Sequence, residues 1–430
     1  MAAMKRVPDL ALWLIVLLST PARASLEKST AWSGRYAAMA GATTAAGEGS
    51  QAIFFNPAGM AGREGFETTL NLSPTWVSYK GPVVLSNEVL SAENAVAPYL
   101  SLTTSYGISP RWTIGAGFAT LGGSRAKYSS LDYSGYAGKN FEMRPDLKSE
   151  LTILEATFGT AYELLPGLKL GAAWRTSWLQ GNLSLPTVVD RVAGNTTASD
   201  GLLALDLTEL SAKRYNGFRL GAQYAPEDQD WGVGASWRTP VDFLATGSGS
   251  GRFESELGGT VKDLTGGGQG AELTLSLPSR IALGGSYRLR PQSLLLVVDA
   301  IWTEYARDRS LGIRGTLPTG VPAQEVALNW RNIWSFRFGA EYSGIERWRL
   351  RAGYLVSTQG TPNDTARATG VAPGVAQGFA LGAGLELLNS LSLDGCLEYS
   401  GSSGPGEAPA LLGDYSSTAF AVHLGTTLRL

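Results

Sequence analysis

A chain of 430 residues with a formal net charge of −2 and one cysteine is long enough for several domains, yet its composition closes off two large classes. Nucleic-acid binders show a basic surplus or stripe that is missing here, and Cys396 alone permits neither an internal disulfide framework nor a thiolate metal cluster. The 54 glycines, 12 tryptophans and 16 tyrosines are rarely found together in a soluble protein of this length. Glycine suits strands crowded around a barrel wall, and tryptophan with tyrosine suits membrane–water interfaces.

At the N-terminus Lys5 and Arg6 precede an apolar run from Leu10 to Leu18, followed by Ala22, Arg23 and Ala24. Positive charge, a short greasy core and a small-x-small site predict a secretory signal over residues 1–24, with the mature chain starting near Ser25. The run is shorter than the ~20 apolar residues a membrane-spanning helix needs, and no later window is long and apolar enough to supply one.

From about residue 65 the pattern has period two. It predicts fourteen strands, near 66–80, 97–107, 111–121, 150–163, 167–185, 205–225, 231–247, 271–289, 293–306, 330–343, 347–357, 376–387, 390–400 and 416–430. Short turns at Gly107–Pro110, Leu164–Gly167, Pro226–Asp230, Arg290–Gln292, Gly344–Glu346 and Leu388–Asn389 alternate with polar stretches near 81–96, 122–149, 186–204, 248–270, 307–329, 358–375 and 401–415. A membrane barrel demands that alternation, with short turns on the periplasmic rim and long loops outside. An even strand count puts both ends of the sheet in the periplasm.

Residue parity sorts two faces. Phe420, Val422, Leu424, Leu428 and Leu430 oppose Ala421, His423, Gly425, Thr427 and Arg429, and Trp348, Leu350, Ala352 and Tyr354 oppose Arg347, Arg349, Arg351 and Gly353. A charge facing lipid near the midplane costs ~2–4 kcal/mol, so the polar face is assigned to the lumen. Tyr106, Trp112, Tyr162, Tyr224, Trp231, Tyr287, Tyr342 and Trp348 adjoin the short turns as a periplasmic aromatic girdle, and Trp178, Trp237, Trp302 and Trp334 supply the outer one. The expected fold is an all-β, fourteen-stranded antiparallel transmembrane barrel over residues 66–430.

Before the first strand, the stretch from Gly41 to Gly59 ends in Asn56, Pro57, Ala58 and Gly59. It resembles the plug of the FadL/TodX-type outer-membrane transporters of long-chain fatty acids and aromatic hydrocarbons. Leu277–Ser279, Val298–Tyr305, Asn329–Arg337 and Arg351–Tyr354 are similar to the same family, so the likeness runs through plug and barrel. The resemblance implies a hatch inside the lumen, assigned to residues 25–65, and a route in which ligand captured outside passes to a luminal pocket and leaves sideways at a kinked third strand. Gly115, Gly117, Gly122 and Gly123 are the candidates for that bend, because glycine in a strand often marks a bulge. Two departures stand out: the last residue is Leu430 where an aromatic is common, and the hatch carries Gly47-Glu48-Gly49 where an Asp is expected.

On their own, Asn56 and Pro57 read as a local turn that shapes the hatch rather than touching ligand. By parity Arg175, Arg219, Arg238, Arg288, Arg337, Arg347, Arg349, Arg351 and Arg429 face inward with Glu155, Asp299, Glu341, Glu386, Asp394 and Glu398. Most read as an ion-pair lattice gripping the hatch, with one or two, Arg337 and Arg351 the candidates, free to hold a carboxylate. Leu295, Val297 and Ile301 are the candidate apolar ligand contacts. His423 lacks a nucleophile elbow and reads as a solvated luminal histidine near the periplasmic end, Cys396 as an inward space-filler, and Gly247–Gly251 and Gly266–Gly268 as flexible linkers in a loop. No cofactor or metal is expected. The function expected is passive uptake of a hydrophobic small molecule by a monomer, with outer-membrane lipid and the barrel-assembly machinery as partners. A diffusion porin for polar solutes and a membrane-embedded lipid hydrolase are the rival readings.

Overall fold

Strands that are apolar outside and polar inside satisfy both faces in a bilayer only within a closed sheet, because an open edge would leave its N–H and C=O groups unpaired in lipid. The computed structural model, which describes residues 27–84, 88–134, 141–189, 201–255, 261–264, 269–317 and 323–430, shows that closure. Fourteen antiparallel strands form one ring: β1 (Gly65–Pro82), β2 (Ala95–Ser109), β3 (Trp112–Tyr128), β4 (Leu147–Leu165), β5 (Leu168–Val189), β6 (Gly201–Tyr224), β7 (Trp231–Arg238 and Val241–Ser255), β8 (Gln269–Leu277 and Arg280–Leu289), β9 (Leu294–Thr303 and Ser310–Gly315), β10 (Gln324–Ala327 and Ile333–Ile345), β11 (Trp348–Ser357), β12 (Ala376–Leu388), β13 (Leu391–Gly406) and β14 (Gly413–Arg429). Pairing of Glu67 with Arg429 through Lys80 with Ser416 joins β1 to β14. The expected signal segment and Gly266–Gly268 lie outside the described residues.

The short turns fall where the sequence places them, and the eight aromatics assigned to the periplasmic girdle are all exposed. The external ends differ from expectation. Strands β5, β6 and β13 run on to Val189, from Gly201 and to Gly406, through segments expected to be loops. Gly247–Gly251, expected to be a loop linker, is strand in β7 and pairs with β6 and β8. Stretches 231–247 and 271–289, expected as single strands, break at Thr239-Pro240 and Pro278-Ser279, where a proline removes a ladder donor.

Each break reverses the side-chain faces. Within β7, Trp231, Val233 and Trp237 are exposed and Arg238 is buried, whereas beyond the break Val241, Phe243 and Ala245 are buried and Asp242 and Thr246 are exposed. Within β8, Ala271, Leu273, Leu275 and Leu277 are buried, whereas below the break Ile281, Leu283 and Tyr287 are exposed and Ala282 is buried. The lower pieces carry apolar side chains towards lipid; the upper pieces carry them inward, as a sheet standing in water must.

Candidate functional site in the lumen and barrel wall

Residues 27–64 fill the lower lumen as short turns held by caps. Ser33 Oγ accepts from Tyr36 N at 3.0 Å to start the helix Gly34–Ala37. Asn56 Oδ1 accepts from Ala58 N at 3.2 Å ahead of the 3-10 turn Pro57–Met60, and Pro57 fits the first turn because its missing N–H needs no partner there. Asn56 also reaches outward, its Nδ2 donating to Thr44 O at 2.8 Å and to Ala222 O of β6 at 3.0 Å. The Asn-Pro pair therefore ties hatch to wall as well as shaping a turn. Tyr36 Oη bridges Glu48 O and N, and burial pushes its hydroxyl up to about 12.

Wall acceptors take hatch N–H groups at three separate places. Asp299 Oδ2 accepts from Thr43 N at 2.8 Å, Thr44 N at 3.1 Å and Thr44 Oγ1 at 2.8 Å. Glu67 Oε1 accepts from Ser50 N at 2.7 Å, and Asn71 Oδ1 from Gly34 N at 2.9 Å. The backbones approach so closely that a Cβ on Gly221 would lie 1.9 Å from Asn56 Oδ1, and one on Gly353 would lie 2.3 Å from Ala40 N. This accounts for part of the glycine content. Gly115 and Gly117 belong to the same contact, facing Met60 Sδ and Phe54.

The inward arginines divide by role. Among the described residues four ion pairs cross from hatch to wall: Glu27 with Arg238, Lys28 with Glu398 at 3.2 Å, Arg35 with Glu341 at 3.7 Å, and Arg63 with Glu67 at 3.5 Å. Others lie within the wall, Glu155 pairing with Arg175 at 2.6 Å and Arg219 at 3.2 Å, and Arg351 with Glu341 at 2.7 Å and Asp394 at 2.6 Å. Arg337 grips the hatch through Gly41 O at 3.1 Å and Ser29 Oγ at 2.9 Å. Arg288 is exposed, and Arg347 occupies a periplasmic turn at φ 61°, a correction to its inward assignment. On the periplasmic side of the hatch, burial alone would raise the Glu48 carboxyl, but the Arg35 and Arg63 guanidiniums hold it well below the usual range.

His423 is fully buried, not solvated: Nδ1 lies 2.9 Å from Ser73 Oγ and Nε2 lies 3.1 Å from Glu398 Oε2. Cys396 is buried against Ala37 and Ala38. Leu295 and Val297 are buried against Ala42 of the hatch, and Ile301 lines a small cavity below Trp32 and Phe54. The larger apolar surface of the lumen escaped sequence reading. Leu121, Leu151, Ile153, Leu179, Phe243, Leu273, Leu275 and Leu277 form one cluster with Trp32, Ile53, Phe54 and Met60 of the hatch. Its signal was the leucine alternation at 273, 275 and 277, hidden by the face reversal at Pro278.

The wall itself parts between β2 and β3. They pair from Ser109 with Trp112 up to Ser101 with Ala119, then separate while β2 stays on β1 and β3 stays on β4. Contact resumes at Glu93 N to Lys127 O, 2.8 Å. Leu121 is an extra residue between Thr120 and Gly122, and Gly123 follows at φ 147°, where a Cβ would meet Leu151 O at 1.9 Å. Pro98 lies opposite Pro74. Two prolines cannot form a hydrogen-bonded antiparallel pair, so the nitrogen of Pro98 points away from β1, towards β3, and offers no donor there. A cavity of about 100 Å³ occupies the gap, lined by Tyr79, Pro98, Tyr99, Thr120 and Gly122 among others. From inside, Lys28 N bonds Leu121 O at 3.0 Å and Glu27 bridges Gly122; from outside, Arg125 Nη1 reaches Val96 O at 3.0 Å.

A closed sheet with lipid-suited outer faces, an occupied lumen and a parted seam defines an outer-membrane β-barrel with an internal plug. The family model for outer membrane protein transport proteins (OMPP1/FadL/TodX) matches residues 15–403, and the chain belongs to that family. The family is one of transport proteins of the outer membrane rather than of enzymes. Among solved structures, the Pseudomonas putida toluene transporter TodX superposes with a TM-score of 0.76 at 17% identity, over 94% of this chain and 99% of its own. A Pseudomonas aeruginosa FadL homologue gives 0.74 at 16%, over 95% and 100%. The Ralstonia pickettii toluene transporter TbuX gives 0.67 at 18%, over 92% and 97%. At such identities the likeness shows the fold. No curated protein sequence matches the chain.

Proposed function

We propose that this protein carries hydrophobic small molecules, long-chain fatty acids or aromatic hydrocarbons, passively across the outer membrane and releases them sideways into the bilayer between β2 and β3. Residues 1–24 serve as the export signal and residues 25–65 as the hatch. The observation that carries this reading is the parted register from Leu100 to Ala95 opposite Thr120 to Ala126. Apolar residues lead to it: the cluster of Phe54, Ile153 and Leu179 includes Leu121 at the bend itself. Each buried CH₂ contributes ~0.8 kcal/mol, so a long chain partitions into such a lining without coupled energy. The names of TodX and TbuX as toluene transporters accord with this reading.

Restoring the missing donor tests it. Pro98→Thr keeps an outward residue suited to strand and supplies an N–H towards β3, letting the seam close further. Uptake of labelled fatty acid and of toluene by cells is expected to fall severalfold, with folding, followed by heat-modifiable electrophoretic mobility, unchanged. Normal uptake of both by a folded variant counts against lateral release.

A further inference from the structure

The breaks in β7, β8, β9 and β10 lie side by side, because Arg238 pairs with Arg280, Arg280 with Thr303 and Thr303 with Ile333 at their lower edge. Below that line Phe218, Trp237, Ile281, Trp334 and Phe336 face lipid, and above it Val241, Phe243 and Leu273 turn inward. The line of breaks therefore marks the outer surface of the bilayer. Along it stand Lys213 and Arg214 of β6, Arg307 and Arg309 in the break of β9, and Arg331 in the break of β10. The outer parts of β11 to β14, residues 352–357, 376–383, 395–406 and 413–424, hold no lysine or arginine. The charge is a patch on one side of the ring rather than a belt around it.

Asp242 sets two of these guanidiniums in place. Its carbonyl accepts from Arg214 Nε at 2.7 Å, and its carboxylate accepts from Arg307 Nε at 3.0 Å and Nη2 at 2.6 Å. An exposed pair of this kind adds little stability; its effect is to fix where Arg307 points. Lys213 Nζ lies 5.1 Å from the centre of the Trp178 ring and 4.9 Å from that of Tyr215, a cation held over aromatic faces at the interface. Lys213, Arg309 and Arg331 are exposed and meet no carboxylate among the described residues. The neighbouring acids do not cancel the patch: Asp308 is buried against Ser276 Oγ, and Glu325 accepts from Ser310 Oγ.

We propose that this patch binds a phosphorylated glycolipid of the outer leaflet. Arg214 and Arg307 take a head-group phosphate by paired hydrogen bonds, and Lys213, Arg309 and Arg331 offset its remaining charge. The acyl chains lie below, against Phe218, Trp237, Ile281 and Trp334. The site stands apart from the seam between β2 and β3 and does not depend on what the barrel carries.

Titration of the purified full-length protein in detergent with bisphosphorylated lipid A, read by native mass spectrometry, tests it. The wild type is expected to bind lipid A about tenfold tighter than the dephosphorylated lipid, and inorganic phosphate is expected not to displace it. The triple variant Lys213→Gln, Arg309→Gln, Arg331→Gln is expected to fold, by its heat-modifiable mobility, and to lose that preference. Asp242→Asn adds positive charge but releases Arg307, and is expected to weaken binding. Arg111→Gln with Arg288→Gln, which removes exposed charge at the periplasmic rim, is expected to bind as the wild type does. Equal affinity of the wild type for the two lipids, displacement by inorganic phosphate, or a preference kept by the folded triple variant overturns the site. Tighter binding by Asp242→Asn, or an equal loss in the periplasmic variant, would reduce it to attraction by charge alone and overturns it as well.

Discussion

Asp299 carries more of the hatch than any other wall carboxylate, taking two backbone N–H groups and a hydroxyl at one oxygen. Asp299→Ala leaves those donors buried without an acceptor, at ~1–3 kcal/mol for each unsatisfied group. The expected outcome is a loosened turn around Thr43 and raised ion conductance in planar bilayers, and a variant as silent as the wild type would show the turn to be held elsewhere. Thr44→Val, which removes only the hydroxyl, is expected to leak less. Glu48 extends the argument to pH. Its folded carboxyl is depressed below the ordinary 4.5 by Arg35 and Arg63 against the effect of burial, so its contribution is present above 4.5 and is lost as the pH falls below it. Conductance is therefore expected to rise on acidification below that value, and Glu48→Gln to be leaky already at neutral pH with a flatter acid response.

At the scale of the strand, the lower barrel was legible because lipid enforces its pattern: Trp348 to Tyr354 alternate with arginines since one face meets hydrocarbon. Above the membrane that constraint ends. There β7 and β8 swap faces at Pro240 and Pro278, so period-two reading merged two differently oriented pieces into one and overlooked the leucines of the upper lumen. Asn56 and Pro57 were readable because their chemistry is local, a cap followed by a first-turn proline. Glu27 was not, since nothing in a short acidic residue near a signal site announces a partner 211 positions away. The seam lay between these cases. Gly122 and Gly123 pointed to the bend, but that Pro98 deprives the facing strand of a donor follows only from its register against Pro74.

For the molecule as a whole, two things fill the bore: the hatch below, and above it the apolar residues of β3 to β9 that pack onto Trp32, Ile53, Phe54 and Met60 of the hatch. The ring of strands closes through β1 and β14 without using any hatch residue, and wall pairs such as Glu155 with Arg175 stay internal to the sheet. Removal of residues 27–64 exposes Arg238 and Glu398 to water, which solvates them, while the small inward residues that met the hatch, Gly221 and Gly353 among them, leave a wide lumen. The deleted barrel is therefore expected to insert and to show large, steady conductance if the hatch is the principal barrier to ions. A deletion that inserts yet stays closed would place the barrier in the upper cluster instead, and Phe243→Ser, which puts a hydroxyl among Val241, Leu275 and their neighbours, would then be the change that wets it.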